Sequence, residues 1–161
     1  MFPSIQFTQD LIQKFYPHTL HNIEIEPLNT EYESCHFNIN QTSYRSRRAK
    51  KTPNKKGYFV VFWVKDENNK NRPYTYKETT DKLIITVFDE QHAGQFIFPK
   101  QVLLEKNIIS HHTKGKMAMR VYPTWVDELN STAIKTQKWQ TKYFIDLTNT
   151  IDLDKLYNLY M

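Results

Sequence analysis

GYFVVFWVK, residues 57–65, is an almost unbroken run of aromatic and β-branched residues. A run of this kind predicts a β-strand that is buried on both faces. Two further segments, KLIITVFD at 82–89 and GQFIFPK at 94–100, also predict strands. Together the three segments predict a sheet that forms the core of the fold.

Shorter segments on either side of these strands predict the remaining elements. Alternation of apolar and polar residues predicts strands at 21–28, 35–41, 117–123 and 143–147. Four helices are predicted: one capped by Thr8 and ending near Tyr16, one from Pro99 to Lys106, one over 131–144 capped by Ser131, and one capped by Asp152. The order of elements predicts a mixed α/β (α+β) fold, a single domain over residues 1–161 with a central mixed β-sheet flanked by helices.

Charge is distributed unevenly along the chain. The 161 residues include 22 Lys and Arg against 17 Asp and Glu, a net charge of +5. Residues 45–56, RSRRAKKTPNKK, hold seven of the bases and no acid, so the rest of the chain has a net charge of −2. With Pro53 and Asn54 and no hydrophobic periodicity, this segment predicts a strand end followed by an exposed loop. A concentrated basic block of this kind indicates a polyanionic partner.

The basic block is the basis of the functional prediction, a non-enzymatic domain that binds DNA or RNA. Trp125 is expected to stack on an unpaired or modified base, while Gln137 and Gln140 are expected to form hydrogen bonds with a base edge. The cations expected to contact phosphates are Arg45, Arg47, Arg48, Lys50, Lys51, Lys55, Lys56, Lys100, Lys116 and Arg120.

Other interpretations of the same block stay open. The cations could form a solvated loop that only keeps the protein soluble, or they could pair with the glutamates of residues 24–33. The block could also bind an acidic protein partner, which would make the chain a protein-interaction module. Competition by nucleic acid would separate the last case from the first prediction.

A metal-dependent nuclease is the alternative function. Its usual signature is an Asp or Glu two residues before a Lys, which no lysine of this chain has. The nearest form is Gln140-Thr141-Lys142, in which a neutral amide replaces the carboxylate. The alternative therefore needs distant carboxylates, from Glu33, Asp66 and Asp81. The first prediction includes no catalytic residue, metal ligand or cofactor.

Several other classes of protein are disfavoured by composition. Only one cysteine is present, Cys35, so no intramolecular disulfide can form. The chain has no HExxH zinc helix, nucleophile elbow, phosphate-binding loop or dinucleotide motif. It also shows no signal peptide and no apolar run long enough to span a membrane. We therefore expect a cytoplasmic protein, with a monomer favoured.

Motifs spread over residues 45–145 resemble the MepB-like family of small bacterial proteins, named after a protein encoded beside a multidrug efflux pump. The first is Arg47-x-Ala-Lys-x-Thr-Pro-x-Lys-x-Gly57, followed by the aromatic strand to Trp63. The later positions are Gly94, Gln95, Phe96, Phe98, Pro99, Lys100 and Leu103, then Gly115, Lys116, Ala118, Arg120, Val121, Tyr122, Pro123 and Trp125, and finally Ala133, Thr136, Gln137, Trp139, Gln140, Tyr143 and Phe144. Tyr58 stands where relatives often have Gln.

The resemblance implies more about the fold than about the chemistry. It implies a mixed α/β domain related to the restriction-endonuclease-like core, and recognition of nucleic acids or nucleotides without a defined catalytic centre. The polar residues that it carries onto this chain are Arg47, Lys50, Lys55, Lys100, Lys116, Arg120, Gln137 and Gln140. Such residues can equally be structural caps and ion-pair partners.

Overall fold

A mixed six-stranded β-sheet forms the centre of the computed structural model, which describes residues 1–161. In chain order the elements are α1 (Pro3–Phe15), β1 (His21–Ile25), β2 (Cys35–Ile39), β3 (Thr42–Arg48), β4 (Lys50–Thr52), β5 (Lys55–Val61), β6 (Trp63–Lys65), β7 (Asn71–Pro73), β8 (Lys82–Phe88), β9 (Ala93–Pro99), α2 (Lys100–Glu105), β10 (Ala118–Val121), α3 (Ser131–Gln140), β11 (Phe144–Asp146) and α4 (Leu153–Tyr160). Short 3-10 turns lie at Thr30–Tyr32 and Thr141–Tyr143.

The strand order of the central sheet is β1-β2-β3-β8-β9-β11. Strands β3 and β8 are parallel, and the other neighbours are antiparallel. A second sheet has the order β10-β5-β4, and β6 with β7 forms a two-stranded ribbon. The predicted α+β fold with a central mixed sheet is confirmed. None of the four helices has the length and apolar character that crossing a membrane requires.

The central sheet is buried on both faces, as alternate residues of β8 show. Leu83, Ile85 and Val87 belong to a first core, which β5, α2 and the end of β10 complete. Ile84 points to a second core on the opposite face, where α1 and α4 pack. A strand with two buried faces has an almost continuous apolar sequence, which explains the character of KLIITVFD.

Most of the predicted elements are present, but two helix caps differ. Helix α1 begins at Pro3, where proline suits the first turn, so Thr8 lies inside the helix. Helix α3 is capped by Asn130, whose side chain accepts a hydrogen bond from the Ala133 amide, and not by Ser131. The predicted cap at Asp152 is confirmed, since its carboxylate accepts from the Lys155 amide at 3.1 Å.

The predicted strand end within residues 45–56 is present, since β3 ends at Arg48, but the exposed segment after it is a β-hairpin and not the predicted loop. Arg45, Arg47 and Arg48 lie on β3, an inner strand of the central sheet, and β4 and β5 follow at once as a hairpin. The three arginines of RSRR can lie on an inner strand only if their charged side chains find partners. Those partners are glutamates that precede β3 in the sequence.

The prediction that residues 57–65 are buried on both faces is also wrong. The segment divides at Phe62 into β5 and β6, and only alternate residues enter the core. Tyr58, Val60 and Phe62 are buried there, while Phe59 and Val61 are half-buried on the other face of the second sheet.

Candidate nucleic-acid interface

The three arginines of β3 are paired with two glutamates. Arg45 Nε lies 3.1 Å from both carboxylate oxygens of Glu26, and Arg47 Nη1 lies 2.9 Å from Glu26 Oε1. Arg48 Nη1 contacts Glu33 Oε2 at 2.9 Å. The prediction that Arg47 contacts phosphate is wrong, because its side chain is fully buried. The interpretation in which the basic block pairs with the glutamates holds for its arginines.

A polar cluster surrounds the buried Arg47 guanidinium. Besides Glu26, Arg47 donates to the Asn29 side chain and to the Tyr74 hydroxyl, both at 3.2 Å. Burial alone would raise the pKa of the Glu26 carboxyl, but the guanidinium groups of Arg47 and Arg45 outweigh it and hold that pKa below its ordinary value. Because Arg47 is fully buried and Arg45 already contacts the same carboxylate, this cluster does not present free cations to a polyanion.

The lysines of the basic block have a different environment. Lys50, Lys51, Lys55 and Lys56 are all exposed on the β4–β5 hairpin. Four arginine–glutamate ion pairs and two histidine–carboxylate contacts occur in the structure, and none of them includes a lysine. The hairpin therefore carries four positive charges that no carboxylate neutralises. We call Lys50, Lys51, Lys55 and Lys56 the hairpin lysines.

A cleft of about 620 Å³ opens beside the hairpin. Lys51, Lys55 and Lys56 line it on the hairpin side, and Trp125 with Asp127 lines it on the other. The structure therefore brings three of the predicted cations to one concave surface with Trp125. Its volume is within the range typical of small-ligand pockets.

Hydrogen bonds hold Trp125 in place within the cleft. Its indole nitrogen donates to the Tyr58 hydroxyl at 3.0 Å, and that hydroxyl donates to Asp89 at 2.9 Å. The His92 ring stacks on the indole with centroids 4.6 Å apart and planes inclined by 11°. Burial raises the pKa of the Tyr58 phenol to about 12, so it stays a donor to Asp89 in neutral solution. One face of Trp125 is thus already stacked by His92.

The two glutamines predicted to contact bases have structural roles instead. The Gln140 amide is fully buried, where its oxygen accepts from the Tyr122 amide and its nitrogen donates to the Arg120 carbonyl, both at 2.9 Å. Gln137 donates to the carbonyls of Pro123 and Val126 at 3.0 and 2.9 Å. The prediction that they contact bases is wrong for Gln140, which is inaccessible. Gln137 instead fixes the loop that carries Trp125.

The remaining predicted cations lie at separate places. Arg120 on β10 donates to the Lys56 carbonyl and to the Thr52 hydroxyl, so it braces the hairpin from the neighbouring strand. Lys116 is exposed just before β10 and lines a different cavity, together with Trp139. The Lys100 ammonium group lies 4.1 Å from the centre of the Tyr76 ring at the start of α2. Lys100 and Lys116 are not among the residues that line the hairpin cleft.

The three carboxylates of the nuclease alternative do not converge. Glu33 pairs with Arg48 and accepts from the Ser4 amide, Asp66 accepts from backbone amides within its own turn, and Asp81 binds Ser43. No group of three or more His, Cys, Asp and Glu side chains is arranged to hold a metal ion. The arrangement of Glu33, Asp66 and Asp81 proposed for that alternative is therefore wrong.

Phe59 and Tyr32 are surface residues that sequence reasoning missed. Their rings lie 6.3 Å apart in a T-shaped contact beside Lys50 and Arg120. The aromatic run of 57–65 hid the position of Phe59, because apolar neighbours on both sides removed the alternation that marks a half-exposed strand. The sequence signal that could have indicated a partly exposed Phe59 is the run of basic residues in the same hairpin.

The comparisons with known proteins agree on one family. The family model described as MepB-like matches residues 26–146. The crystal structure of MepB is similar to this chain, with 43% sequence identity and a TM-score of 0.82, over 93% of this chain and all of that one. No curated protein matches the chain. On the sequence motifs, the family model and the structural similarity, the chain belongs to the MepB-like family.

Proposed function

We propose that this protein binds nucleic acid through the hairpin lysines and the adjoining cleft, and that it carries out no chemistry on the bound polymer. The observation that carries the proposal is the group of four exposed lysines on one hairpin, none of which has a carboxylate partner. Cations that phosphates neutralise release condensed counterions, which makes binding favourable at low salt. The cytoplasm is the compartment in which we expect that partner.

The shape of the hairpin supports the proposal. Its strands are antiparallel, with Lys50 opposite Phe59 and Lys51 opposite Tyr58, so adjacent lysines point to opposite faces. Lys51 therefore faces the cleft, while Lys50 faces away from it. Arg120 anchors the turn through Thr52 and Lys56, which keeps the lysines on a fixed support. Fixed cations lose less conformational entropy on binding than those of a mobile loop.

The acidic residues of the cleft are compatible with an anionic partner. The carboxylate of Asp89 accepts hydrogen bonds from the Tyr58 hydroxyl and from the backbone amides of Gln91 and His92. Burial alone would raise the pKa of Asp89, but these donors lower it, so the carboxylate stays ionised and paired with fixed dipoles. Asp127 is exposed on the far side of the cleft from the hairpin. In the proposed complex, the phosphates lie along the hairpin, away from these carboxylates.

The test is titration of labelled DNA and RNA at low salt, with the triple variant Lys51→Gln, Lys55→Gln, Lys56→Gln beside the wild-type chain. We expect the triple variant to bind at least ten-fold more weakly. The matched control is Lys14→Gln, which removes an exposed lysine from α1 and is expected to change nothing.

Two outcomes would reject the proposal. One is absence of binding by the wild-type chain at low salt, and the other is equal affinity of the triple variant. Polyglutamate of matched charge, used as a competitor, separates an acidic protein partner from nucleic acid. If polyglutamate displaces the oligonucleotide at equal charge concentration, the interaction-module interpretation replaces the proposal.

A further inference from the structure

The outer face of the β10-β5-β4 sheet has a composition that burial does not explain. We define this outer face by Lys50 on β4, Phe59 and Val61 on β5, and Ala118 and Arg120 on β10. Its residues are paired directly across the strands, Lys50 with Phe59, Phe59 with Arg120, and Val61 with Ala118. The opposite face supplies Tyr58, Val60 and Val121 to the first core.

An antiparallel sheet with one face on a core normally presents polar residues on the other. Here the exposed side presents an aromatic and an aliphatic residue in its central strand, with a cation on each side. Phe59 and Val61 are half-buried, and Lys50 is exposed. The outer face thus combines partly exposed apolar surface with uncompensated positive charge, which is the chemistry of a nucleic-acid contact rather than of a solvated face.

Aromatic rings and cations are in contact on this face. The Lys50 ammonium group lies 4.8 Å from the centre of the Tyr32 ring, and the Tyr32 and Phe59 rings form a T-shaped contact. The Arg120 guanidinium lies 5.8 Å from the centre of the Phe59 ring. Its hydrogen bonds go to the neutral oxygens of Thr52 and Lys56, so its charge is not compensated by a carboxylate.

We infer that the outer face binds an unpaired strand of nucleic acid, with a base stacked on Phe59 and the sugar-phosphate backbone along Lys50 and Arg120. The inference rests on the proposed function and names the kind of nucleic acid. Unpaired bases expose flat faces that stack on aromatic side chains, whereas the bases of a duplex are already stacked inside it. A row of cation, ring and cation across three strands matches this combination of charge and flat apolar surface.

The outer face suits a stacked base better than Trp125 does. The His92 ring already covers one face of Trp125, and the indole nitrogen is bound to Tyr58. Phe59, in contrast, has no ring stacked parallel on it: its one aromatic contact is the T-shaped one with Tyr32, at 69°, and the Arg120 guanidinium lies 5.8 Å from its centre. Lys50 and Lys51 are consecutive on the edge strand β4, so the outer face and the cleft lie on opposite sides of the same hairpin.

The test compares three probes of equal length: a single-stranded oligonucleotide, its duplex, and a single strand with abasic sites throughout. The variant is Phe59→Leu, which keeps an apolar side chain on the strand and removes the ring. We expect affinity for the single strand to fall about ten-fold, with duplex and abasic affinities unchanged. Phe15→Leu, a half-buried phenylalanine on α1, is the matched control.

Fluorescence of a 2-aminopurine base in the single strand gives a second measurement. We expect stacking to quench it on binding to the wild-type chain and less so on binding to Phe59→Leu at saturating protein. Equal quenching by both proteins, or an equal loss of affinity for abasic and natural strands, overturns the inference. If the wild-type chain binds none of the three probes, the proposed function itself fails. Binding that is confined to the duplex overturns the inference alone.

Discussion

Arg47 and Glu26 form an ion pair in which the guanidinium is wholly removed from solvent and the carboxylate is 13% exposed. The pair joins β3 to the segment that follows β1, and Arg45 shares the same carboxylate. One glutamate therefore contacts two arginines of the central sheet. This relationship allows a strand that reads TSYRSRR to lie inside a sheet.

Replacement of this glutamate is expected to destabilise the protein strongly. Glu26→Gln would leave the buried Arg47 guanidinium without an anion, which typically costs about 3–5 kcal/mol of the free energy of unfolding. Urea denaturation followed by circular dichroism would measure the loss. Glu24→Gln serves as the control, because the Glu24 side chain is 70% exposed and the change should stay within about 0.5 kcal/mol.

The free energy of unfolding is expected to fall in acid, and Glu26 is expected to account for part of that fall. Buried and paired with two guanidiniums, Glu26 has a folded-state pKa below its ordinary value of 4.5. Its contribution to stability is therefore complete above that ordinary value and is lost as pH falls through the lower, folded-state pKa. Urea midpoints measured between neutral and acid pH should decline less steeply for Glu26→Gln than for wild type. Equal slopes would contradict this assignment.

A structural role for Gln140 predicts a loss of stability on substitution. Gln140→Leu leaves the Tyr122 amide and the Arg120 carbonyl without their partner, and each unsatisfied buried group costs about 1–3 kcal/mol. Thermal unfolding would measure the effect. Lys138→Leu, at an exposed position of α3, is the control. A melting temperature that Gln140→Leu leaves unchanged would show that the amide is dispensable.

The single cysteine is expected to be inert in the folded protein. Burial raises the pKa of the Cys35 thiol to about 11, and its side chain is not accessible to solvent. Since the thiolate is the nucleophile, alkylation at neutral pH should proceed only through unfolding. Mass spectrometry after treatment with iodoacetamide should detect labelling in urea and none in buffer. Rapid labelling in buffer would place Cys35 at the surface.

Binding to duplex DNA is expected to depend on salt through the hairpin lysines. Each phosphate contact contributes about 0.9 to the slope of log Kobs against log salt concentration. Lys51→Gln and Lys55→Gln should therefore each reduce that slope by about one, whereas Lys14→Gln should not. Fluorescence anisotropy at several salt concentrations would determine the slopes. A slope that none of the three changes alters would assign the phosphate contacts to another surface.

Much of the fold could be predicted from local pattern. Segments 82–89 and 94–100 are strands because their apolar character is that of an inner strand buried on both faces. The α+β architecture follows from the order of such segments. The beginnings of two helices were harder to place. Asn130 and Ser131 have equally suitable capping side chains, and α1 begins at Pro3 without a side-chain cap, so Thr8 was a misleading signal.

The candidate site could be predicted only in part, because the basic block spans two structural environments. Charge density alone does not distinguish Arg47, which is buried against Glu26, from Lys51, which is exposed on the hairpin. That distinction depends on a partner 21 residues earlier in the chain. The structural role of Gln140 could not be predicted for the same reason, since its hydrogen-bond partners lie 18 and 20 residues away in the chain.

The second core also has a consequence for the order of folding. It combines Ile5 and Ile12 from α1 with Leu156 and Tyr160 from α4, so segments about 150 residues apart in the chain share one interior. The Tyr44 hydroxyl donates to the Tyr160 carbonyl, and Lys82 donates to the carbonyl of Leu159 at 2.7 Å. During synthesis, which proceeds from the N-terminus, α1 must wait for α4 before its apolar face is fully enclosed. The packing of α1, the first helix translated, is thus completed last, while the β4–β5 hairpin and β10 can assemble from residues made before α4.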